Sequence, residues 1–397
     1  MSNISSRAAR VPASPIRKLV PFADAAKKAG KKVYHINIGQ PDIETPEYFW
    51  NAVKSYPGEV LAYGNAKGNP QYLEELEKYY QEVGIDVSRD EIIVTTGGSE
   101  AIVFAMMTIC DPGDEIVVFE PFYTNYNGYA AMANVKLVPV TTDPQEGYHL
   151  PDEAMIKKAI SKKTRALMIC TPNNPTGTVF SREELDTIVK IANENDLFVI
   201  SDEVYREFVY EGKQTSIMNI PGASERAILL DSISKRFSAC GARLGCVVSK
   251  NSEIMDSIWR LAQARLCPPS LEQIGAAEVL KNVDEDYYES IKHEYKHRRD
   301  VAIEELEKID GAFCIKPLGA FYLMVKFDID DIEDFAKWML TDFSDEGETT
   351  MIAPGPGFYA TPGKGVHEAR LAYVLQEKDL RRAIQILAKG IKEYNNR

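Results

Sequence analysis

The stretch Ser232-Ile-Ser234-Lys235 sets two hydroxyls beside one lysine, and Arg243 follows eight residues later. Just upstream, Ala227-Ile-Leu-Leu is a short apolar run, so the lysine stands where a buried strand gives way to a loop. Desolvation, or a cationic neighbour such as Arg236, lowers a lysine's pKa toward that of a nucleophilic amine able to form a Schiff base. The serine hydroxyls and the planar guanidinium of Arg243 are donors suited to phosphate oxygens. Together they point to a phosphorylated aldehyde. Taken alone, the same residues fit a solvated strand end, and Ser-x-Ser-Lys is too short a pattern to choose.

Four more apolar runs end in residues of matching chemistry. Thr96-Gly97-Gly98-Ser99-Glu100 joins a strand to a helix, so bare amides, the Ser99 hydroxyl and the helix N-terminus form an anion site. Glu120-Pro-Phe-Tyr123 offers an aromatic face for stacking on a flat ring. In Thr171-Pro-Asn-Asn174-Pro-Thr-Gly177 the prolines stiffen a turn that aims an amide inward, where Asn174 can donate to a phenolic oxygen. Asp202, after Phe198-Val-Ile-Ser, suits the positive charge of a pyridine nitrogen, and Tyr205 reaches for the same phenolic oxygen. Each piece also has a plainer reading by itself: a turn, a packing aromatic, a helix cap.

The elements that must position these residues are near-continuous apolar strands at Ile92, Ile116, Ala166, Leu197, Ala227 and Gly245, separated by helical stretches such as Glu100 to Met107 and Arg182 to Asn193. Such alternation predicts an α/β fold with a mostly parallel sheet covered by helices on both faces and ligands at the carboxyl ends of its strands. Val33 to Gly39 reads as a strand and turn, and Pro70 opens a helix through Leu73, Leu76 and Tyr80. From about Tyr287 the texture changes. A long charged helix, Tyr288 to Lys308, leads into strands at Phe313, Phe321 and Arg370 and helices at Ile332 to Leu340 and from Lys378. Three segments are therefore expected: 1–47 as N-terminal arm and small-domain segment, 48–287 as the large domain, and 288–397 as a smaller α+β domain.

In this order, Gly97-Gly98-Ser99, Asn174-Pro-Thr-Gly177, Asp202-x-x-Tyr205 and Ser232-x-Ser-Lys235 with Arg243 resemble the class I/II aminotransferases, fold type I enzymes of the aspartate aminotransferase superfamily that use pyridoxal 5'-phosphate. The likeness runs from Gly39 to Arg370. It implies that Lys235 is the Schiff-base lysine and proton shuttle and that Asp202 is the partner of the pyridinium. It further implies that Asn174 and Tyr205 bind the phenolic oxygen and that Tyr123 stacks on the ring, at a position where relatives often carry tryptophan. Gly97, Gly98, Ser99, Ser232 and Arg243 match the phosphate binders, and Tyr63 matches a residue lent to the phosphate of the neighbouring subunit. Arg370 matches the arginine that grips the substrate α-carboxylate, assisted by Asn174 and the backbone of Gly39. The implied reaction moves an amino group from an L-amino acid to a 2-oxo acid such as 2-oxoglutarate. An acidic donor, aspartate above all, is expected because Arg265 sits near where some relatives place a second arginine, although the register does not match cleanly. A two-fold homodimer is expected from Tyr63. A carbon-sulfur β-lyase on the same fold is the rival reading, since cofactor binders do not dictate which bond at Cα is broken.

Composition narrows the remaining classes. At 397 residues, roughly two domains are expected. A net charge of −13 argues against nucleic acid as a partner, and no apolar run approaches the roughly 18 residues of a membrane helix. Six cysteines without a Cys-x-x-Cys pair read as reduced core residues, which places the protein in the cytoplasm. Residues 1–23 carry Ser, Arg and Lys but no acid; Pro12, Pro15 and Pro21 break the amphipathic helix of a transit peptide, leaving an arm. His293-Glu-Tyr-Lys-His297 imitates a zinc-peptidase motif within a run of charges, and no third ligand stands nearby. Gly355-Pro-Gly357 imitates a dinucleotide fingerprint but lacks its strand and helix, so a loop is expected.

Overall fold

Seven strands form one sheet in the order Ile92–Thr96, Leu244–Val248, Ala227–Ser232, Phe198–Asp202, Thr164–Cys170, Glu115–Glu120, Lys136–Thr141. Residues 4–397 are described by this computed structural model; positions 1–3 of the expected arm lie outside them. All pairings are parallel except those of Leu244–Val248, which runs against both of its neighbours. The strands read as apolar throughout because both faces are covered. Val117, Leu167 and Leu229 enter the core on one face, and Ile116, Ala166 and Ile228 the core on the other.

This topology positions the chemistry. Thr96, Glu120, Cys170, Asp202 and Ser232 all end their strands on the same edge, and the reversed strand begins there. Ser232 pairs with Gly245, so Arg243 is returned to the edge that Lys235 has just left. Asn69 caps the helix Pro70–Glu82 by accepting from the amides of Gln71 and Tyr72, and Pro70 takes the first position, where its missing N–H costs nothing.

A second core gathers both ends of the chain. Lys32–His35 pairs in parallel with Glu348–Met351, and Glu368–Ala372 lies between Tyr322–Lys326 and Ala353–Pro354. Helices Ile332–Thr341 and Glu377–Asn395 pack on these strands. Helix Glu285–Leu306 crosses the expected boundary at 287, and its Tyr287 and Tyr288 touch the cores on either side.

Two local expectations need correction, and one strand went unread. Phe313 makes only an isolated bridge to Lys326, not a strand. Pro21 interrupts nothing: it sits in the first turn of a helix, Val20–Lys28, where proline is tolerated. Lys136–Thr141 is a strand despite Pro139, because it lies at the sheet's edge, where a missing donor is harmless. All six cysteines are free thiols. Among the described residues no helix is long and apolar enough to cross a membrane.

Candidate active site

The common strand edge opens into a cavity of about 340 Å³. Its lining includes Gly39, Gly98, Ser99, Tyr123, Asn174, Asp202, Tyr205, Ser232, Lys235, Arg243 and Arg370, residues that lie as much as 331 positions apart in the chain (39 to 370).

One end is a cradle of donors. Ser232 Oγ lies 2.8 Å from Ser234 Oγ and donates to the Leu244 carbonyl at 2.7 Å, while the Tyr129 hydroxyl donates to Ser99 Oγ at 2.8 Å. The 13-residue helix Gly97–Ile109 starts here, so its first amides face the same space. Two glycines make room. A Cβ on Gly97, whose φ is +73°, would lie 2.5 Å from Arg243 Nη2, and one on Gly245 would lie 2.6 Å from the backbone of Gly97 and Gly98. The cradle therefore brings helix amides, hydroxyls and a guanidinium together, a set that binds anions.

In the middle, Asp202 stands at a strand end, buried. Burial pushes its carboxyl up to about 6, opposed by the Tyr126 hydroxyl, which donates to Oδ2 at 2.6 Å. Tyr123 is half-buried, its hydroxyl accepting from Asn125 Nδ2 at 2.7 Å. Tyr205 and Tyr322 share a hydrogen bond between hydroxyls at 2.9 Å, and Asn174 Nδ2 reaches Tyr205 at 3.5 Å. Lys235 Nζ donates to the Gly39 carbonyl at 2.8 Å. Gly39 lines the cavity, and a Cβ there would sit 1.6 Å from the Tyr322 hydroxyl, so a side chain at this position would have to displace that tyrosine.

The far end is Arg370. Its Nη1 donates to Asn174 Oδ1 at 2.8 Å and its Nη2 to the Asn37 carbonyl at 2.6 Å, while the rings of Tyr322 and Phe358 lie 4.5 and 5.0 Å from its guanidinium carbon. Burial depresses its pKa, and among the described residues it has no ion-pair partner. Neutral groups orient this cation without neutralising it, so an incoming carboxylate meets a charge that lacks a counter-ion.

Tyr63 and Arg265 stay outside the cavity, and Gly97, though packed against Arg243, does not line it. Tyr63 is 83% exposed on its loop. Arg265 closes the helix Ser252–Arg265, donates to the carbonyls of Ala66 and Val94, and lies 3.7 Å from Glu100. Its guanidinium braces backbone rather than facing the pocket. His297 bonds Glu377, at 2.8 Å, on the surface. Asn37, Tyr126 and Tyr322 were missed; Tyr126 carries a weak signal as the next aromatic three residues after Tyr123, and the others carry none.

Residues 31–387 match the family model for aminotransferase class I and II. The chain belongs to this family. It is an aminotransferase of fold type I, with the large mostly parallel sheet of that architecture. It is 31% identical to an aspartate/prephenate aminotransferase of Thermus thermophilus, over 91% of this chain and 92% of that one. An aromatic-amino-acid aminotransferase of Thermococcus litoralis is 30% identical over 98% of each chain. The solved structure of an alanine aminotransferase from Pyrococcus furiosus aligns with a TM-score of 0.89 at 31% identity, covering 98% of this chain and 100% of that one.

Proposed function

We propose that this aminotransferase holds pyridoxal 5'-phosphate along the strand edge and transfers the amino group of an acidic L-amino acid to a 2-oxo acid. The observation that carries the reading is the meeting of Lys235, Asp202 and the Ser232–Ser234–Arg243 cradle in one cavity. The fit is good at both ends of such a cofactor: the glycines leave the cradle open where a Cβ would close it, and Asp202 is a buried carboxylate without a cationic partner. When bound, the cofactor supplies an electron sink for the charge developed at the substrate Cα.

The chain's own residues do the rest. Gly97, Gly98, Ser99, Ser232 and Arg243 hold the phosphate. Asn174 and Tyr205 donate to the phenolic oxygen, and Tyr123 covers the ring. Asp202, whose ionised form a pyridinium beside it favours, keeps the pyridine nitrogen protonated. Arg370 fixes the α-carboxylate and so aligns Cα–H with the amine of Lys235, which carries the proton between substrate and cofactor. The acidic donor is supported by the Thermus relative's name, whereas the other two names point to alanine and aromatic donors.

Borohydride reduction of cofactor-loaded enzyme followed by peptide mapping tests the centre of this reading. The label is expected on Lys235; a label on another lysine, or none, refutes it.

The same proposal includes a homodimer with shared sites. Val60, Leu61 and Tyr63 are 75%, 57% and 83% exposed, and Trp50 is 49% exposed, apolar surface of the kind that subunits cover. Mixing a Tyr63→Phe chain with a Lys235→Ala chain is expected to restore one intact site per mixed dimer, and failure despite confirmed exchange refutes sharing. We further assign segments 48–287 and 1–47 with 288–397 to two domains, joined through helix Glu285–Leu306, and a cytoplasmic location consistent with six free thiols.

A further inference from the structure

Four cationic side chains line the cavity, Arg17, Lys235, Arg243 and Arg370, against the single carboxylate of Asp202. In the function proposed above three of the four have duties: amine, phosphate and α-carboxylate. Arg17 has none. It belongs to the short turn Arg17–Leu19, whose amide at Arg17 is held by Ser14 Oγ at 3.4 Å. Among the described residues its guanidinium has no ion-pair or hydrogen-bond partner. The next residue differs: Lys18 turns away to an ion pair with Glu333.

The two residues before Arg17 anchor it to the substrate end. Pro15 packs so tightly on Gly357 that a Cβ there would lie 2.5 Å from the proline's own Cβ. Ile16 packs on the cluster containing Phe358 and Tyr359, and Phe358 is the ring beneath Arg370. The segment carrying Arg17 is thus seated on the floor that supports the α-carboxylate arginine. A free guanidinium in that place is suited to a second carboxylate of the same substrate.

We propose that Arg17 binds the distal carboxylate of dicarboxylic substrates and so determines the acidic specificity. This inference rests on the aminotransferase reading of the cavity. The competing design is an apolar subsite, since Ile16, Val20, Ile38 and Ile102 also line the cavity; it predicts a preference for aromatic or aliphatic side chains.

The test is calorimetric titration of the holoenzyme with maleate, a dicarboxylate, and with 3-phenylpropanoate, a monocarboxylate. Wild type is expected to bind maleate more tightly. Arg17→Met should weaken maleate by about ten- to a hundredfold, the loss of one charge-assisted contact, and leave 3-phenylpropanoate far less affected. Arg17→Lys should recover part of the loss, and Lys18→Met, which removes an adjacent charge outside the cavity, should not reproduce it. Donor kinetics should follow, kcat/KM falling for aspartate much more than for phenylalanine. Equal losses for both ligands, or none for maleate, overturn the assignment of Arg17. A wild type that prefers 3-phenylpropanoate overturns the acidic specificity as well, while the borohydride label on Lys235 independently tells whether the cofactor site stands.

Discussion

Arg236 and Arg370 are both buried, yet they are opposites. Arg236, behind the sheet, ion-pairs with Asp231, lies 4.2 Å from the Tyr79 ring, and shares its partner with the Tyr80 hydroxyl, which donates to Asp231 at 2.9 Å. Burial opposes the charge on Asp231, but Arg236 and Arg206 hold its carboxyl below the usual range. Arg370 faces the Asn174 amide oxygen, the Asn37 carbonyl and two rings. Unpaired guanidinium N–H groups do not separate the two, since both arginines retain some. The counter-charge does: a structural arginine brings its carboxylate from within the chain, and a binding arginine leaves that place for the ligand.

The contrast can be broken most forcefully at Arg236. Arg236→Met leaves Asp231 buried without its ion-pair partner, and should cost about 3–5 kcal/mol in urea unfolding. The double variant Asp231→Asn/Arg236→Met should recover much of it; a double variant no better than the single would show that the pair is not the reason for the loss.

Asp202 belongs with Arg370, as a pocket charge without an ionic partner. Its carboxyl is raised to about 6 from an ordinary 3.8, so in the cofactor-free protein it favours folding only while protonated. That contribution is complete below about pH 4 and lost as the pH rises through about 6. Asp202→Asn should therefore stabilise the cofactor-free protein at pH 8 by about 1–3 kcal/mol, with the gain vanishing near pH 4, while turnover collapses. Thermal melts across that range decide, and a destabilised variant at pH 8 contradicts the argument.

Arg370→Met should leave the cofactor-free protein no less stable, unlike the Arg236 variant, and weaken substrate-like carboxylates by about 1.5–3 kcal/mol in titration. The smallest effect sharpens the picture around Asp202. Tyr126→Phe removes a donor that favours the ionised carboxylate, so the acid limb of the rate profile should move to higher pH, for a loss of about 1 kcal/mol. An acid limb that stays fixed separates Tyr126 from the function of Asp202.

Most of the sheet was legible because a strand buried on both faces must be apolar along its length, as Ile116 to Phe119 are. The edge strand Lys136–Thr141 escaped because it is covered less and carries a proline. Residues at strand ends were legible for a related reason: polar atoms where an apolar run stops have few structural duties. Arg265 was ambiguous in the sequence because the carbonyls it meets, of Ala66 and Val94, belong to distant segments that local sequence does not show. Tyr322 was hidden in an ordinary strand pattern, and its approach to Gly39 spans 283 residues (39 to 322). Arg17 lay in a segment read only as an arm.

Glu120 ends its strand fully buried, and Oε2 accepts from the amides of Ala360 and Thr361 at 2.8 and 3.1 Å, while the Phe122 amide donates to the Phe358 carbonyl at 2.9 Å. These bonds tie the loop under Arg370 to the large sheet, while the Tyr359 hydroxyl donates to Glu368 and so ties it also to the strand that carries Arg370. A clasp joining both units thus lies directly beneath the group suited to grip the one end that every amino acid shares.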